Sequence, residues 1–229
     1  MSVSLISKRA PLQLIHLTDG KDLDAEILPF GAIIKSIKFR NQELTLSVKD
    51  ADYYLDNPFY LGATIGRYAN RIANGSINLS GKSYQLNTNS NPHSLHGGTK
   101  GFDKVLWEVS SHTDNEVKLY YCSQDGEQGY PGKLQVWQTI TAINGRLEIC
   151  YKAVCEEETI VNLTNHCYFN LDGGETIRDH FLQINAEHYL PIDETFVPTG
   201  ELTSVKNSCF DFQTSTRVGN ALAEENLQL

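Results

Sequence analysis

Leu147, Ile149, Tyr151, Ala153 and Cys155 alternate with Arg146, Glu148, Cys150, Lys152 and Val154. A period of two predicts a half-buried β-strand. Just upstream, Leu134, Val136, Ile140 and Ala142 fall on one parity of another run, and Asn144-Gly145 separates the two. An Asn-Gly pair tolerates positive φ at both central turn positions, so the segment predicts a hairpin. A second hairpin is predicted from Ile77 and Leu79, the Ser80-Gly81 turn, and Tyr84 and Leu86. Val117, Leu119 and Tyr121 predict a further strand, as do Leu182, Ile184 and Ala186. Helical patterns are scarce: a turn or two over 50–56, and a helix over 215–226 weakened by Gly219. No linker of low complexity and no repeat of fixed period interrupts the pattern. The expectation is an all-β chain, residues 1–229 forming one domain, as a large sandwich of antiparallel sheets.

Composition narrows the partners more than the fold. The 229 residues are 40% hydrophobic, enough for a sizeable core. Nineteen basic against 28 acidic side chains give a formal net charge of −9, which supplies no footprint for phosphate backbones or anionic lipid. Nucleic acid and membrane partners are therefore not expected. No run approaches the roughly 20 apolar residues of a spanning helix, and residues 1–15 do not read as a signal peptide. Cys122, Cys150, Cys155, Cys167 and Cys209 are odd in number and without CxxC spacing, which predicts reduced thiols and a cytoplasmic location. The sequons starting at Asn74, Asn78 and Asn162 are read as chance matches.

Three segments carry residues suited to chemistry. Residues 66–75 place Arg67, Asn70, Arg71 and Asn74 beside apolar neighbours, 91–104 set His93 and His96 in a glycine-rich stretch, and 161–171 place His166 between amides and aromatics. Arg, Asn and His offer donors and acceptors for a polyhydroxylated ligand, and Tyr68, Tyr168 and Phe169 offer surfaces for the apolar faces of a sugar ring. Histidine is the usual acid or base near neutral pH. Each residue also has a plain structural reading: an arginine pairing with a carboxylate, Gly97-Gly98 as a turn, a histidine filling space. A Cys167–His166 dyad is disfavoured because adjacent strand residues face opposite ways. His93 and His96 lack further ligands at recognisable metal spacing.

Taken in order, the blocks resemble the aldose 1-epimerase family. They are Gly66-Arg67-Tyr68-Ala69-Asn70-Arg71-Ile72, Ser94-Leu95-His96-Gly97-Gly98, residues 101–107, residues 125–132, Asn162-Leu163-Thr164-Asn165-His166-Cys167-Tyr168-Phe169-Asn170-Leu171, and residues 189–201. The similarity runs from about Gly31 to Phe212. The resemblance implies a galactose mutarotase-like supersandwich, and cofactor-free interconversion of the α and β anomers of aldoses such as galactose and glucose. It implies His166 as the acid that protonates the ring oxygen, His96 as a hydrogen-bonding partner near the same atom, and Arg71 and Asn70 as holders of sugar hydroxyls. Arg67 is left open between binding and structure. The family's later Gly-[Phe/Tyr]-Asp-His motif and its glutamate base have no counterpart in these 229 residues. The expectation is accordingly a sandwich incomplete at its C-terminal end, with the base supplied beyond Leu229 or by a complementing fragment, and a monomer by default. Two other readings stay open: a sugar-binding domain without turnover, and an epimerase of hexose 6-phosphates.

Overall fold

The computed structural model describes residues 13–223, 226 and 228. They form two compact units, one reaching to Phe169 and the other starting at Asn170. The first opens with β1 (Ile15–Thr18), β2 (Leu23–Leu28), β3 (Ile33–Phe39) and β4 (Gln42–Glu43), which pair in that order as an antiparallel sheet. A short helix α1 (Tyr53–Asp56) follows. Next come β5 (Thr64–Ile65), β6 (Arg71–Ile72), the hairpin of β7 (Ser76–Leu79) and β8 (Lys82–Gln85), and β9 (Ser94–Leu95). The second four-stranded sheet is a meander of β10 (Glu108–His112), β11 (Glu116–Ser123), β12 (Leu134–Ile143) and β13 (Arg146–Cys155). The last strand of the unit is β14 (Thr164–Asn165), which pairs with β5.

The two large sheets share one core. Ile15, Leu17, Leu23, Ala25 and Ile27 of the first pack into the same cluster as Val117, Leu119, Leu134, Val136, Ile140 and Ala142 of the second. Along β12 every second residue from Leu134 to Ala142 is buried. That is the inward face of a sandwich strand. One inward position is polar: Gln138 is fully buried, accepts from Thr64 Oγ1 at 3.0 Å, and bonds Tyr151 Oη at 3.3 Å. Ile143 pairs with Arg146 across Asn144 and Gly145, whose φ values are +50° and +74°, so the predicted Asn-Gly hairpin is present. The Ser80-Gly81 hairpin is present too. Phe102 and Trp107 anchor the segment between β9 and β10: their rings meet edge-on at 5.7 Å, and Trp107 Nε1 donates to the Phe102 carbonyl at 3.1 Å.

The second unit holds β15 (Phe181–Leu182), β16 (His188–Tyr189), β17 (Thr203–Ser204), β18 (Thr216–Arg217) and α2 (Val218–Ala221). β15 pairs with β18, and β16 with β17. Two expectations are corrected here. The strand predicted over 182–186 is confined to its start, because the Ala186 N–H turns back to the Ile184 carbonyl at 2.8 Å and ends the ladder. The helix predicted over 215–226 is four residues long among the described residues, since Thr216 and Arg217 enter a strand. Val218 and Gly219 donate to the carbonyls of His180 and Arg178, both at 2.9 Å, so their backbone serves the strand's neighbour rather than a longer helix. A Cβ at Gly219 would lie 2.8 Å from the Arg178 carbonyl oxygen.

Candidate active site

Two pairs of two-residue strands bring distant segments of the first unit together. β6 pairs with β9, setting Arg71 opposite Leu95, and β5 pairs with β14, setting Thr64 opposite Asn165. The residues next to these pairs are Asn70, His96 and His166. Asn70 and His96 hold each other by two bonds: the Asn70 N–H donates to His96 Nδ1 at 2.9 Å, and the His96 N–H donates to the Asn70 carbonyl at 3.2 Å. Both residues are left-handed, at φ +69° and +53°. An amide N–H only donates, so Nδ1 is the unprotonated nitrogen and the neutral ring carries its proton on Nε2. Burial, then the neighbouring His166 and Arg71, push the His96 pKa down to about 4. At neutral pH, His96 is therefore a fixed, uncharged Nε2–H donor.

His166 lies with its ring centroid 5.3 Å from that of His96 at an interplanar angle of 82°. Its backbone is tied on both sides, its N–H donating to Ala63 O at 2.9 Å and its carbonyl accepting from Gly62 N at 3.0 Å. Asn165 reinforces the placement by donating from Nδ2 to Gly62 O and accepting the Cys167 N–H, both at 2.9 Å. Burial lowers the His166 pKa below its ordinary value. Tyr60 and Tyr168 complete the ring cluster. Tyr60 is 4.8 Å from His96 and 5.7 Å from His166, and Tyr168 is 5.0 Å from His166.

The four site residues named from the sequence, His166, His96, Arg71 and Asn70, thus fall in one place. Tyr168 joins them, whereas Arg67, Tyr68, His93 and Cys167 do not. Arg67 is buried, and its guanidinium donates to Ser123 Oγ and to the carbonyls of Ser123, Gln124, Pro131 and Gly132 at 2.8–3.0 Å. Ser123 Oγ and Tyr121 Oη in turn donate to Glu127 at 2.9 Å. Arg67 is structural. Tyr68 packs in a separate cluster with Ile77, Leu86 and Tyr130. His93 is buried with its Nδ1 accepting the Asn74 N–H at 3.0 Å. Cys167 turns away from His166 into the sandwich core, and burial, with Glu43 nearby, raises its thiol to about 12. Such a thiol is no nucleophile. Tyr60 is the residue sequence reading missed: it lies outside all three segments singled out above.

Two depressions of about 390 Å³ lie elsewhere. One runs over His16, Asp24, Glu26 and Lys38 on the face of β1–β3, and the other beside Pro29, Leu106 and Val109. Glu26 in the first is already paired with Lys35 at 2.9 Å. Neither gathers imidazole and phenol rings in mutual contact as the histidine cluster does.

An aldose 1-epimerase family model matches residues 13–227. The chain belongs to that family. It is 42% identical over 212 residues to galactose mutarotase of Homo sapiens, covering 90% of this chain and 62% of that protein. It is 36% identical over 226 residues to aldose 1-epimerase of Escherichia coli K12, covering 95% and 65%. Among solved structures, a GalM/aldose epimerase homologue from C. elegans superposes with a TM-score of 0.88 at 34% identity, covering 91% of this chain and 66% of that one. Galactose 1-epimerase from Lactobacillus acidophilus superposes at 0.85 with 30% identity, covering 94% and 65%. The fold is the all-β sandwich of these proteins. The chain spans about 62% of the length of the mammalian relatives it matches. No helix among the described residues is long and apolar enough to cross a membrane.

Proposed function

We propose that the histidine cluster binds an aldose and serves the interconversion of its α and β anomers. The observation that carries this reading is the paired geometry of His96 and His166, with the His96 tautomer fixed by the Asn70 N–H. In the proposed reaction His166 gives a proton to the ring oxygen as the C1–O bond breaks. The C1 hydroxyl passes its proton to a general base, a group that the rings around His166 do not supply, and its oxygen becomes the aldehyde carbonyl. Rotation about C1–C2 and reclosure reverse these transfers on the other face. His96 Nε2–H donates to the same oxygen or a neighbouring hydroxyl, and its low proton affinity keeps it from competing for the proton. Arg71 and Asn70, fixed beside His96, hold ring hydroxyls. Galactose and glucose, which fit the names of the relatives, are the proposed substrates. Residues 1–229, matched by the family model over 13–227, are read as one domain, in the cytoplasm, acting as a monomer.

A second reading is favoured by one observation. The rings packed around His166 are His96, Tyr60 and Tyr168, none of them a carboxylate to accept the C1 proton. Sugar binding without turnover follows if no base joins the site. Polarimetry of freshly dissolved α-galactose separates the readings. Acceleration over the spontaneous rate, lost by a factor of roughly 10²–10⁴ in His166→Ala, is the result expected of an epimerase. Galactose binding with no acceleration by the folded chain would leave only the binding reading.

A further inference from the structure

Tyr60 occupies a position that the proposed reaction leaves unexplained. Its ring meets His96 edge-on at 4.8 Å and 79°, and lies tilted over His166 at 5.7 Å and 34°. With the histidines 5.3 Å apart, the three rings form a closed triangle. Aromatic rings at such spacings attract one another in edge and tilted arrangements, so each fixes the angle of the other two.

The backbone that presents Tyr60 is held for the purpose. Tyr60 is left-handed at φ +57°, a conformation unfavourable for a bulky L-residue. Asn57, itself buried, retains it. Its Oδ1 accepts the Leu61 N–H at 2.9 Å, its Nδ2 donates to Leu61 O at 3.2 Å, and its carbonyl accepts the Tyr60 N–H at 3.0 Å. The same loop grips His166. Ala63 N donates to Tyr60 O at 3.0 Å, and Ala63 O accepts the His166 N–H at 2.9 Å. One loop therefore sets both the ring that touches the histidines and the backbone of one of them.

We infer that Tyr60 is a positioning residue, whose ring sets the mutual geometry of His96 and His166 and keeps water from both. Its ring does the work, and its hydroxyl is dispensable. The inference deepens the proposed function, since it takes these histidines as the working pair. The charged and titratable groups facing the cluster are His166 and Arg71 at His96, Tyr168 at His166, and Asp103 and Arg71 at Tyr60. None of these charges is altered by replacing the tyrosine.

The test is an NMR titration of the histidine ring protons in the 229-residue chain, together with galactose mutarotation. Three proteins are compared: Tyr60→Phe, Tyr60→Leu, which keeps apolar bulk so that the fold survives, and Tyr60→Ala. In the parent His96 is expected to titrate near pH 4. Tyr60→Phe is expected to leave that titration in place. Tyr60→Ala and Tyr60→Leu are expected to move it upward by about one unit or more as water reaches the ring. Where turnover is present, they are expected to lower kcat by about tenfold or more with a smaller change in KM. Unmoved histidines in Tyr60→Leu would overturn the inference. So would an equal shift in Tyr60→Phe, which would assign the effect to the hydroxyl. The titration needs no turnover. A chain that lacks epimerase activity but shows the Tyr60-dependent shift therefore counts against the proposed function and not against Tyr60.

Discussion

β12 and β13 pair over ten residues each, whereas β5, β6, β9 and β14 pair over two. The long strands are specified by alternation: one face is buried, and a slip of one residue would expose all of it. Two-residue strands have no such protection. The site's frame is instead specified by single residues with particular bonds or a particular lack of bulk. Asn57, Asn70 and Asn165 tie side chain or backbone across it. Gly97, at φ +92°, lies so close to the Gly66 carbonyl that a Cβ has no room. Arg67 fastens the start of the same segment to the loop between β11 and β12. The sandwich thus spreads its specification over many residues, while the site concentrates it in few. Single substitutions should tell the two regions apart.

Arg67→Ala should show the largest effect. It leaves the buried carbonyls of Ser123, Pro131 and Gly132, the part-buried carbonyl of Gln124, and Ser123 Oγ without their donor, and Glu127 without its cation. Breaking one side of a buried charged network costs about 3–5 kcal/mol. Urea denaturation followed by Trp107 and Trp137 fluorescence would measure it. Arg67→Lys should recover little, since an ammonium cannot span the fork of acceptors. A loss under about 1 kcal/mol would show that the frame does not hang on this residue.

In the sandwich, Ile140→Ala should cost about 3 kcal/mol by leaving a cavity among Val117, Leu119 and Val136. The contrast lies in what else changes. Arg67→Ala should also disturb the His96 titration, and Ile140→Ala should leave it alone. If both mutants move His96 equally, the two regions are not separately specified.

The same contrast accounts for what sequence reading could reach. β11, β12, β13 and the two hairpins were legible because burial imposes period two and the turns need left-handed residues. β1 and β2 carry the same signal, since Ile15, Leu17, Leu23, Ala25 and Ile27 alternate with polar neighbours, but each run is shorter. The segments at 182–186 and 215–226 misled because apolar spacing does not reveal when a backbone N–H is taken by another segment. At the site, His96, His166, Asn70 and Arg71 came from ordered motifs, and resemblance rather than periodicity carried them. Tyr60 was invisible because its role depends on ring-to-ring distances between loops. Arg67 could not be assigned because an arginine on carbonyl oxygens and an arginine on sugar hydroxyls look alike in sequence.

Two titrating groups give the site a pH signature with opposed slopes. Asp103 is buried, with Oδ2 unpartnered, and burial raises its pKa from 3.8 to about 6. Between those values the folded chain holds a proton that the unfolded chain has lost, so Asp103 makes stability fall as pH rises toward 6. His96 acts in the opposite sense. Its folded pKa of about 4 lies below the ordinary 6.5, so its contribution is present above 6.5 and is lost as pH falls toward 4. The two slopes oppose each other over pH 4–6. Asp103→Asn should unmask the histidine. It should gain about 2–3 kcal/mol over the parent at pH 7 and nothing at pH 3.5, with a steeper acid limb between. Denaturant midpoints across that range would show it, and an unchanged midpoint at pH 7 would mean the carboxyl is solvated in solution.

The smallest effect belongs to the sandwich's own turn. Gly145 has φ +74°, but the nearest atom to an added Cβ is Phe39 Cε2 at 3.9 Å, an ordinary contact. Its N–H donates to Asp19 Oδ2 at 2.7 Å, a bond that alanine keeps. Only the conformational cost of a left-handed L-residue remains, about 1 kcal/mol. Gly145→Ala should therefore lower the denaturant midpoint slightly and leave the ten-residue register of β12 and β13 unchanged. Amide exchange along the ladder would check this. A cost well above that figure, with exchange spreading beyond the turn, would mean the hairpin register depends on its turn as heavily as the site depends on Asn70, and the contrast between the two regions would fail.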